Sequence, residues 1–338
     1  MTRILVTGAT GCSGKGVIHY LLSQGFEDVH GLVRQVPSIP YSDVSYIQGD
    51  ITNKKQMQEI LVTNQIDSVW HLAGAVHPHT KKALFHKINV EGTQNVLEAS
   101  INADVSSFLF TSSIAVYGKI EETPIVEDHP LKPLGNYAKS KVESESIVKQ
   151  LSSEAGLRGG IIRLSTVLGK EDRHFFPIVS KLIKANIFPI MGNPNHNFSI
   201  IHPYDIGRAL ETIFHANQMK IDSYNAISTD ISMKKMILDI EMYMKGKNRF
   251  KYYLPYPIVY FFAWLVEMFT HVITPNKDPI FNREYAQLIG KECTMNIDKL
   301  KGLGYTPMMN QEKIFQDMIY PDPVPVPITR KNKIAQSR

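Results

Sequence analysis

Short apolar runs alternate with helix-like patterns along the first half of the chain. Between the runs, apolar residues such as Val17, Ile18 and Leu21 recur at the spacing of one helix face. A short apolar run is typical of a strand buried on both faces of a parallel sheet, and the intervening helices connect such strands. The pattern predicts an α/β fold with a doubly wound parallel sheet. The predicted strands are 4–6, 29–33, 44–48, 66–72, 108–111 and 161–164.

A glycine-rich turn follows the first predicted strand. Gly8, Gly11 and Gly14 separate that strand from the first predicted helix. Glycine lets a phosphate approach the backbone, and a helix N-terminus offers unpaired N–H groups and the positive end of a dipole. The turn predicts a dinucleotide at the end of the first strand, as in Rossmann-type sheets.

The end of the second predicted strand indicates which dinucleotide is bound. Arg34 lies 20 residues after Gly14, where an acidic residue would bind the ribose 2′-hydroxyl of NAD. An arginine can instead pair with a 2′-phosphate, so the sequence favours NADP(H) and leaves NAD possible. A solvated arginine at a strand end is the alternative interpretation.

Composition excludes several classes of protein. Of 338 residues, 43% are hydrophobic and 20% charged, which is typical of a globular protein, and the formal net charge is +5. This charge is too small to predict nucleic-acid binding without a clustered patch. Cys12 and Cys293 are the only cysteines of the sequence, which argues against a disulfide framework. With no signal-peptide pattern at the start, we expect a cytoplasmic protein.

Four histidines lie close together in the sequence, at His71, His77, His79 and His86. No cysteine, aspartate or glutamate lies between residues 71 and 86 to complete a metal-ligand set. We therefore predict no metal site and interpret these residues as loop histidines that contact a ligand.

A tyrosine and a lysine form the candidate catalytic pair. Tyr137 and Lys141 are four residues apart, so on a helix their side chains share a face. A nearby ammonium lowers the pKa of a phenol, ordinarily ~10, and allows proton exchange with an alcohol or ketone oxygen. Ser113, at the end of the fifth strand, would donate a hydrogen bond to that oxygen. The same spacing recurs at Tyr243 and Lys247 without such a serine.

The order of these motifs resembles the extended short-chain dehydrogenase/reductases of the NAD-dependent epimerase/dehydratase superfamily. The resemblance covers roughly residues 3 to 230 and includes an Asn-Val-x-Gly-Thr helix from Asn89. It implies that Ser113, Tyr137 and Lys141 are catalytic. It also implies a set of cofactor-binding residues: Gly8, Gly11, Cys12, Ser13, Gly14, Arg34, Asp50, Ile51, Leu72, Ala73, Gly74, Asn89, Tyr137, Lys141, Leu164 and Thr166.

The same resemblance implies a division of the chain into lobes and a homodimer. It also places Tyr117 near the site, with a packed aromatic as the alternative. The expected units are a Rossmann domain over 1–168 with 199–229 returning to it, a substrate lobe from 169–198 and 230–320, and a proline-rich basic tail over 321–338.

The C-terminal third favours one branch of this family. Residues 252–266 carry no charge, Glu267 interrupts them, and the chain is apolar again to residue 273. Three interpretations of 252–275 stay open: a buried helix, an apolar lid over the substrate that also touches a membrane surface, and a membrane span. Together with 295–307, the segment resembles 3β-hydroxysteroid dehydrogenase-like enzymes. This resemblance implies hydride exchange with a hydroxyl or ketone of a largely apolar substrate.

Two other functions stay open. Nucleotide-sugar epimerases and dehydratases of the family have an asparagine where this chain has Thr166, and a phosphate-binding arginine where it has Phe198. A diphosphate would lose a charge-assisted contact unless Arg173, Arg208 or Arg283 replaced that arginine. The third function is a non-catalytic NADP(H)-sensing protein.

Overall fold

Strands and helices alternate along the chain. The computed structural model describes residues 2–37, 41–77, 80–172, 176–186, 190–216, 221–248, 252–274, 279 and 281–319. The strands are β1 (Ile4–Thr7), β2 (Val29–Val33), β3 (Ser45–Gln48), β4 (Ser68–His71), β5 (Ser107–Ser113), β6 (Arg158–Leu164), β7 (Thr166–Val167), β8 (Ile190–Met191), β9 (Asn197–Ile201), β10 (Asp222–Ala226), β11 (Thr229–Ser232) and β12 (Tyr253–Leu254).

Helices connect these strands, mostly as crossovers. A π-helix (His86–Glu91) precedes α4, and a 3₁₀-helix (Ile114–Tyr117) follows β5. The α-helices are α1 (Cys12–Ser23), α2 (Lys54–Thr63), α3 (Lys82–Phe85), α4 (Gly92–Asn102), α5 (Asn136–Ala155), α6 (Phe176–Lys184), α7 (Pro203–Ala216), α8 (Met233–Lys245), α9 (Tyr256–Ile273), α10 (Arg283–Gly290), α11 (Asp298–Gly302) and α12 (Gln311–Ile319).

A seven-stranded parallel sheet occupies the centre of the protein. Its order is β10-β6-β5-β4-β1-β2-β3, and each neighbouring pair is parallel. Buried side chains of α1, α7 and α8 belong to one hydrophobic cluster, and those of α2, α4 and α5 to a second. The predicted doubly wound α/β fold is confirmed. The chain reverses its direction of winding at β1, so the turn after this strand lies where such sheets bind ligands.

Strand β10 was not among the six predicted strands. Its sequence, Asp-Ser-Tyr-Asn-Ala, contains no apolar run. The polar residue Asn225 is buried there, where it makes hydrogen bonds. The Asn225 amide donates to the carbonyl oxygen of Ile125 at 2.9 Å, and its oxygen accepts from the Tyr117 hydroxyl at 2.6 Å. Strand β10 pairs with β6 in the central sheet. It lies within 199–229, the range predicted to return to the first domain. The lobe boundaries themselves stay a prediction, and the tail over 321–338 lies outside the described residues.

A buried ion pair connects the sheet to α5. The Arg163 guanidinium on β6 lies 2.8 Å from the Glu145 carboxylate, and both side chains are almost fully buried. Removing one partner leaves the other charge buried without compensation, which costs about 3–5 kcal/mol. We expect Glu145→Ala to lower the free energy of unfolding by that amount in denaturant titrations. Glu143→Ala, at an exposed position of the same helix, is the control and should change it by less than ~1 kcal/mol.

Candidate active site

The glycine turn packs closely against the backbone that follows β4. Gly8 has a φ of +71°, and a Cβ there would lie 2.9 Å from the Cα of Ala73. A Cβ on Gly14 would lie 2.1 Å from the carbonyl oxygen of Gly8. Helix α1 begins directly after Gly11, and none of the described residues caps its N-terminus with a side chain. The turn therefore excludes side chains and leaves N–H groups of the first helical turn for an external anion.

Cys12 and Ser13 lie in this first turn of α1, and both are half-buried. Burial, together with the nearby carboxylates of Asp172 and Glu171, raises the pKa of the Cys12 thiol to about 12. The thiol therefore stays protonated at neutral pH, a state that is a poor nucleophile. Cys12 can therefore contribute its backbone to the turn, while its thiol stays in the protonated form.

The interpretation of His71 as a loop histidine that contacts a ligand is wrong. Strand β4 extends to His71, whose buried ring lies 2.8 Å from the Thr7 hydroxyl and 3.0 Å from the Thr93 hydroxyl. The Thr7 oxygen also accepts the N–H groups of Leu72 and Ala73, each at 3.1 Å. Burial and the charge of Lys141 lower the pKa of His71 to about 3. His71 is thus a neutral structural bridge.

The other predicted histidines occupy different surroundings. His77 and His86 are exposed, and His86 faces the carboxylates of Glu91 and Glu143 at 3.1 and 3.4 Å. His79 lies outside the described residues. Within the part of the chain that the structure describes, no three histidine, cysteine or acidic residues form a group that could hold a metal ion.

The predicted adenine and ribose residues follow β2 and β3. Arg34 is exposed directly after β2, and its carbonyl oxygen accepts a hydrogen bond from the Gln48 amide at 3.1 Å. The Asp50 carboxylate accepts from the N–H and the hydroxyl of Thr52 at 2.8 and 2.9 Å. The Thr52 N–H bond is the main cause that lowers the pKa of Asp50, so this side chain is ionised. Ile51, the next residue, is buried in the core.

Asn89 holds the loop after β4 in place from the π-helix. Its amide oxygen accepts the N–H of Ala75 at 2.7 Å, and its nitrogen donates to the Ala75 carbonyl at 3.0 Å. The same nitrogen donates to the Ser140 hydroxyl on α5 at 2.9 Å. A Cβ on Gly74 would lie 3.3 Å from the Asn89 oxygen. These bonds fix the backbone of Leu72 to Ala75 against the helix that carries Tyr137 and Lys141.

The three predicted catalytic residues belong to adjoining elements. Tyr137 and Lys141 lie in the first two turns of α5, and Ser113 is the last residue of β5. The Lys141 ammonium donates to the carbonyl oxygen of Thr111 at 2.9 Å, which brings this end of α5 to the end of β5. The Tyr137 ring packs near Phe85, with the ring centroids 6.1 Å apart. By contrast, α8 ends before Lys247, so the second Tyr-x-x-x-Lys pair does not share a helix face.

Lys141 is buried beside an aromatic ring. Its Nζ lies 4.7 Å from the centroid of the Phe110 ring, and the side chain is buried. Burial lowers the pKa of this ammonium to about 8, while the charge of Glu145 opposes the decrease. Lys141 is therefore still mostly protonated at pH 7, and its positive charge lies in a medium that screens it weakly.

Buried polar atoms without a partner lie near the same edge of the sheet. The hydroxyls of Ser112, Ser165 and Thr166 make no hydrogen bond to any of the described residues. Ser112 lies in β5, and Ser165 and Thr166 follow Leu164 at the end of β6. Buried polar groups normally have partners, so these hydroxyls fit a bound polar ligand. With the uncapped glycine turn, the residues present fit a dinucleotide.

Sequence reasoning missed a buried network behind the site. Arg163 donates to the Tyr117 hydroxyl at 3.0 Å and to the carbonyl oxygen of Glu127 at 2.7 Å, in addition to its pair with Glu145. Tyr117 is fully buried, and burial raises its pKa to about 12. Tyr117 is thus a packed aromatic residue. Helical spacing places Glu145 one turn after Lys141, but no sequence signal connects it to β6.

Comparison with known proteins finds a matching family and related proteins. The family model for the NAD dependent epimerase/dehydratase family matches residues 4–226. A sterol-4-alpha-carboxylate 3-dehydrogenase, decarboxylating, from Dictyostelium discoideum is 27% identical over 335 residues, covering 92% of this chain and 98% of that protein.

Epimerases match a shorter part of the sequence. A UDP-glucose 4-epimerase from Azospirillum brasilense is 29% identical over 202 residues, which is 56% of this chain and 57% of that relative. The chain thus spans less than two thirds of the length of that relative. The crystal structure of a UDP-glucose 4-epimerase from Thermotoga maritima with UDP-glucose has a TM-score of 0.74 at 18% identity, covering 94% of this chain and 97% of that one. This likeness shows the shared fold.

Proposed function

The chain belongs to the NAD dependent epimerase/dehydratase family, and we propose that it exchanges a hydride between a nicotinamide dinucleotide and a hydroxyl or ketone of a largely apolar substrate. The observation that carries the chemistry is the buried ammonium of Lys141, one helical turn from Tyr137 and bonded to the end of β5. A weakly screened positive charge at this position favours the phenolate form of a neighbouring tyrosine.

The proposed mechanism assigns one task to each side chain. Tyr137 takes the proton from a substrate hydroxyl during oxidation and returns one to the ketone oxygen during reduction. Ser113 donates a hydrogen bond to that same oxygen and fixes its position. Lys141 stabilises the tyrosinate electrostatically. The glycine turn and the backbone of Leu72 to Gly74 would hold a nicotinamide dinucleotide, which would supply the hydride acceptor or donor.

The apolar class of substrate is supported by the C-terminal helices. Gln287 on α10 reaches the carbonyl oxygen of Ile120 at 3.4 Å, in the loop that follows the 3₁₀-helix after Ser113. This hydrogen bond joins the helix pair α9 and α10 to a loop near the substrate end of the sheet, and α9 carries a largely apolar surface. The near full-length similarity to a sterol 3-dehydrogenase supports the same class.

Nucleotide-sugar epimerisation or dehydration with bound NAD is the second candidate, because UDP-glucose 4-epimerases are among the relatives. Phe198 is buried in β9, so its position offers no group for a diphosphate. Arg208 is bonded to the carbonyl oxygen of Thr306, and Arg283 to the Glu267 carboxylate. Arg173 lies outside the described residues. These contacts favour the apolar substrate.

A substrate panel distinguishes the two candidates. Absorbance of reduced nicotinamide should change when the enzyme meets NADPH or NADH with steroid, 3-oxoacyl or flavonoid ketones, or the oxidised cofactors with 3β-hydroxysteroids with and without a 4-carboxylate. Conversion of UDP-sugars without net turnover of added cofactor, on enzyme that retains NAD through purification, would instead establish the second candidate.

The preference for NADP(H) is proposed on the position of Arg34. It is exposed where β2 ends, and its charge acts on Asp50. A charge-assisted hydrogen bond to a 2′-phosphate contributes about 1.5–3 kcal/mol. We expect Arg34→Ser to raise the KM for NADPH by about 10- to 100-fold while the KM for NADH changes less than about twofold. Steady-state kinetics with both cofactors give this comparison, and an equal change in the two values would refute the role of Arg34.

A further inference from the structure

Helix α9 exposes most of its apolar side chains. Phe262 and Phe269 are 56% and 58% exposed, and Val272 is 76% exposed. Isolated exposed apolar residues are ordinary, but a contiguous set along one helix marks an interaction surface. The exposed set also includes Phe261, Trp264 and Met268.

The exposed surface goes around most of the helix. Val259 and Ala263 are buried against Ala286 of α10, which defines one narrow attached face. From Tyr260 on one side to Val266 on the other, exposed side chains cover about two thirds of the circumference at about 100° per residue. A folded protein partner would cover one face of such a helix. A fluid apolar medium contacts all its free sides.

The charged residues on and near α9 and α10 are compatible with a bilayer surface. Among Asp, Glu, Lys and Arg, only Glu267 occurs between Tyr252 and Thr274 in the sequence. Its carboxylate accepts the Arg283 backbone N–H at 2.7 Å and pairs with the Arg283 side chain at 2.6 Å. At the start of α9, the exposed Lys291 ammonium lies 4.9 Å from the centroid of the Tyr256 ring. A cation beside an apolar surface favours anionic lipid headgroups.

Helix α9 is attached to the protein through α10 and through the strand that precedes it. Its first turn packs against α10, since a Cβ on Gly290 would lie 2.6 Å from the Tyr256 ring. Strand β12, just before α9, pairs with β8, and Gln287 of α10 contacts the loop at Ile120. No helix in the described part of the chain is both long and apolar enough to cross a bilayer.

We propose that α9 is a membrane-docking helix that lies in the surface layer of a phospholipid bilayer, with α10 between it and the protein. The aromatic side chains of Tyr260 and Trp264 combine an apolar ring with a polar group, which suits the headgroup boundary. This inference concerns binding and is independent of the catalytic reaction. Docking would place the substrate end of the sheet beside the lipid phase, where apolar substrates concentrate.

Flotation of the full chain with vesicles of phosphatidylcholine and phosphatidylserine tests the proposal. We expect the wild-type protein to float with the vesicles and the variant Phe262→Glu/Phe269→Glu to lose at least about tenfold in partitioning. Val62→Glu on α2 introduces a glutamate at a site that is 55% exposed and distant from α9 in sequence, and it should bind as the wild type does. Circular dichroism checks that each variant folds.

Three results would overturn the proposal. The wild-type protein could stay unbound, or the double variant could float as well as the wild type does. Analytical ultracentrifugation could also show a dimer that the double variant dissociates, with no vesicle binding by the wild type. In that last case a second copy of the chain covers α9.

Discussion

Tyr137→Phe is expected to reduce kcat for hydride transfer by about 10²- to 10⁴-fold, the usual contribution of a positioned acid–base group. The substitution removes only the hydroxyl, and the ring can still pack near Phe85. The affinity for the dinucleotide, measured by fluorescence titration, should therefore change less than about threefold. Rate and affinity together distinguish lost chemistry from a lost binding site.

Tyr243→Phe is the matched control for this variant. Tyr243 lies on α8 and begins the second Tyr-x-x-x-Lys sequence, but α8 ends at Lys245. We expect wild-type kcat in this control. Activity that survives in Tyr137→Phe, or disappears equally in Tyr243→Phe, would exclude Tyr137 as the acid–base residue.

Lys141→Met is expected to have the second largest effect, a decrease of kcat at pH 7 by about a hundredfold. Alcohol oxidation needs the tyrosinate, so its rate rises with pH through the apparent pKa of Tyr137. Without the ammonium this pKa moves upward toward the ordinary value of ~10, so the increase of kcat with pH occurs at higher pH. The pH profile of kcat measures the displacement.

The free energy of unfolding distinguishes a loss of catalysis in Lys141→Met from a loss of folding. Burial lowers the pKa of Lys141 from its ordinary 10.5 to about 8 in the folded protein. The buried ammonium therefore destabilises the fold below pH 8. This cost decreases between pH 8 and 10.5 and is absent above about pH 10.5. Lys141→Met removes that penalty and leaves the Thr111 carbonyl without its donor. We therefore expect little net change in the free energy of unfolding at pH 7. Lys139→Met, at an exposed position of α5, should retain the wild-type rate and profile.

Much of the first half of the fold could be predicted because its strands are apolar and its turn is rich in glycine. All six predicted strands exist with ends shifted by up to three residues, and the predicted family is confirmed by the match over 4–226. Strand β5 extends past the apolar run to Ser113, since Thr111 and Ser112 continue its pairing with β6. The site assignments themselves stay predictions.

The failures have a common physical cause, which is tertiary contact between polar residues distant in sequence. His71 and Thr93 are 22 residues apart, and Arg163 and Glu145 are 18 residues apart, so local spacing contains no sign of either bond. Strand β10 was missed because Asn225 is buried for its hydrogen bonds. For α9, hydrophobicity alone could not distinguish a core helix from an exposed one, and the structure shows it exposed.

Isotope transfer tests the central claim most directly. A 3β-hydroxysteroid that carries deuterium on its hydroxyl-bearing carbon is incubated with the enzyme and oxidised NADP. The mass of the recovered cofactor is then measured by mass spectrometry. We predict that the deuterium appears on the nicotinamide of free, reduced cofactor in equal amount to the ketone formed, and that Tyr137→Phe stops both. Unlabelled cofactor and unchanged steroid, with UDP-sugar interconverted by the same preparation, would contradict the assignment.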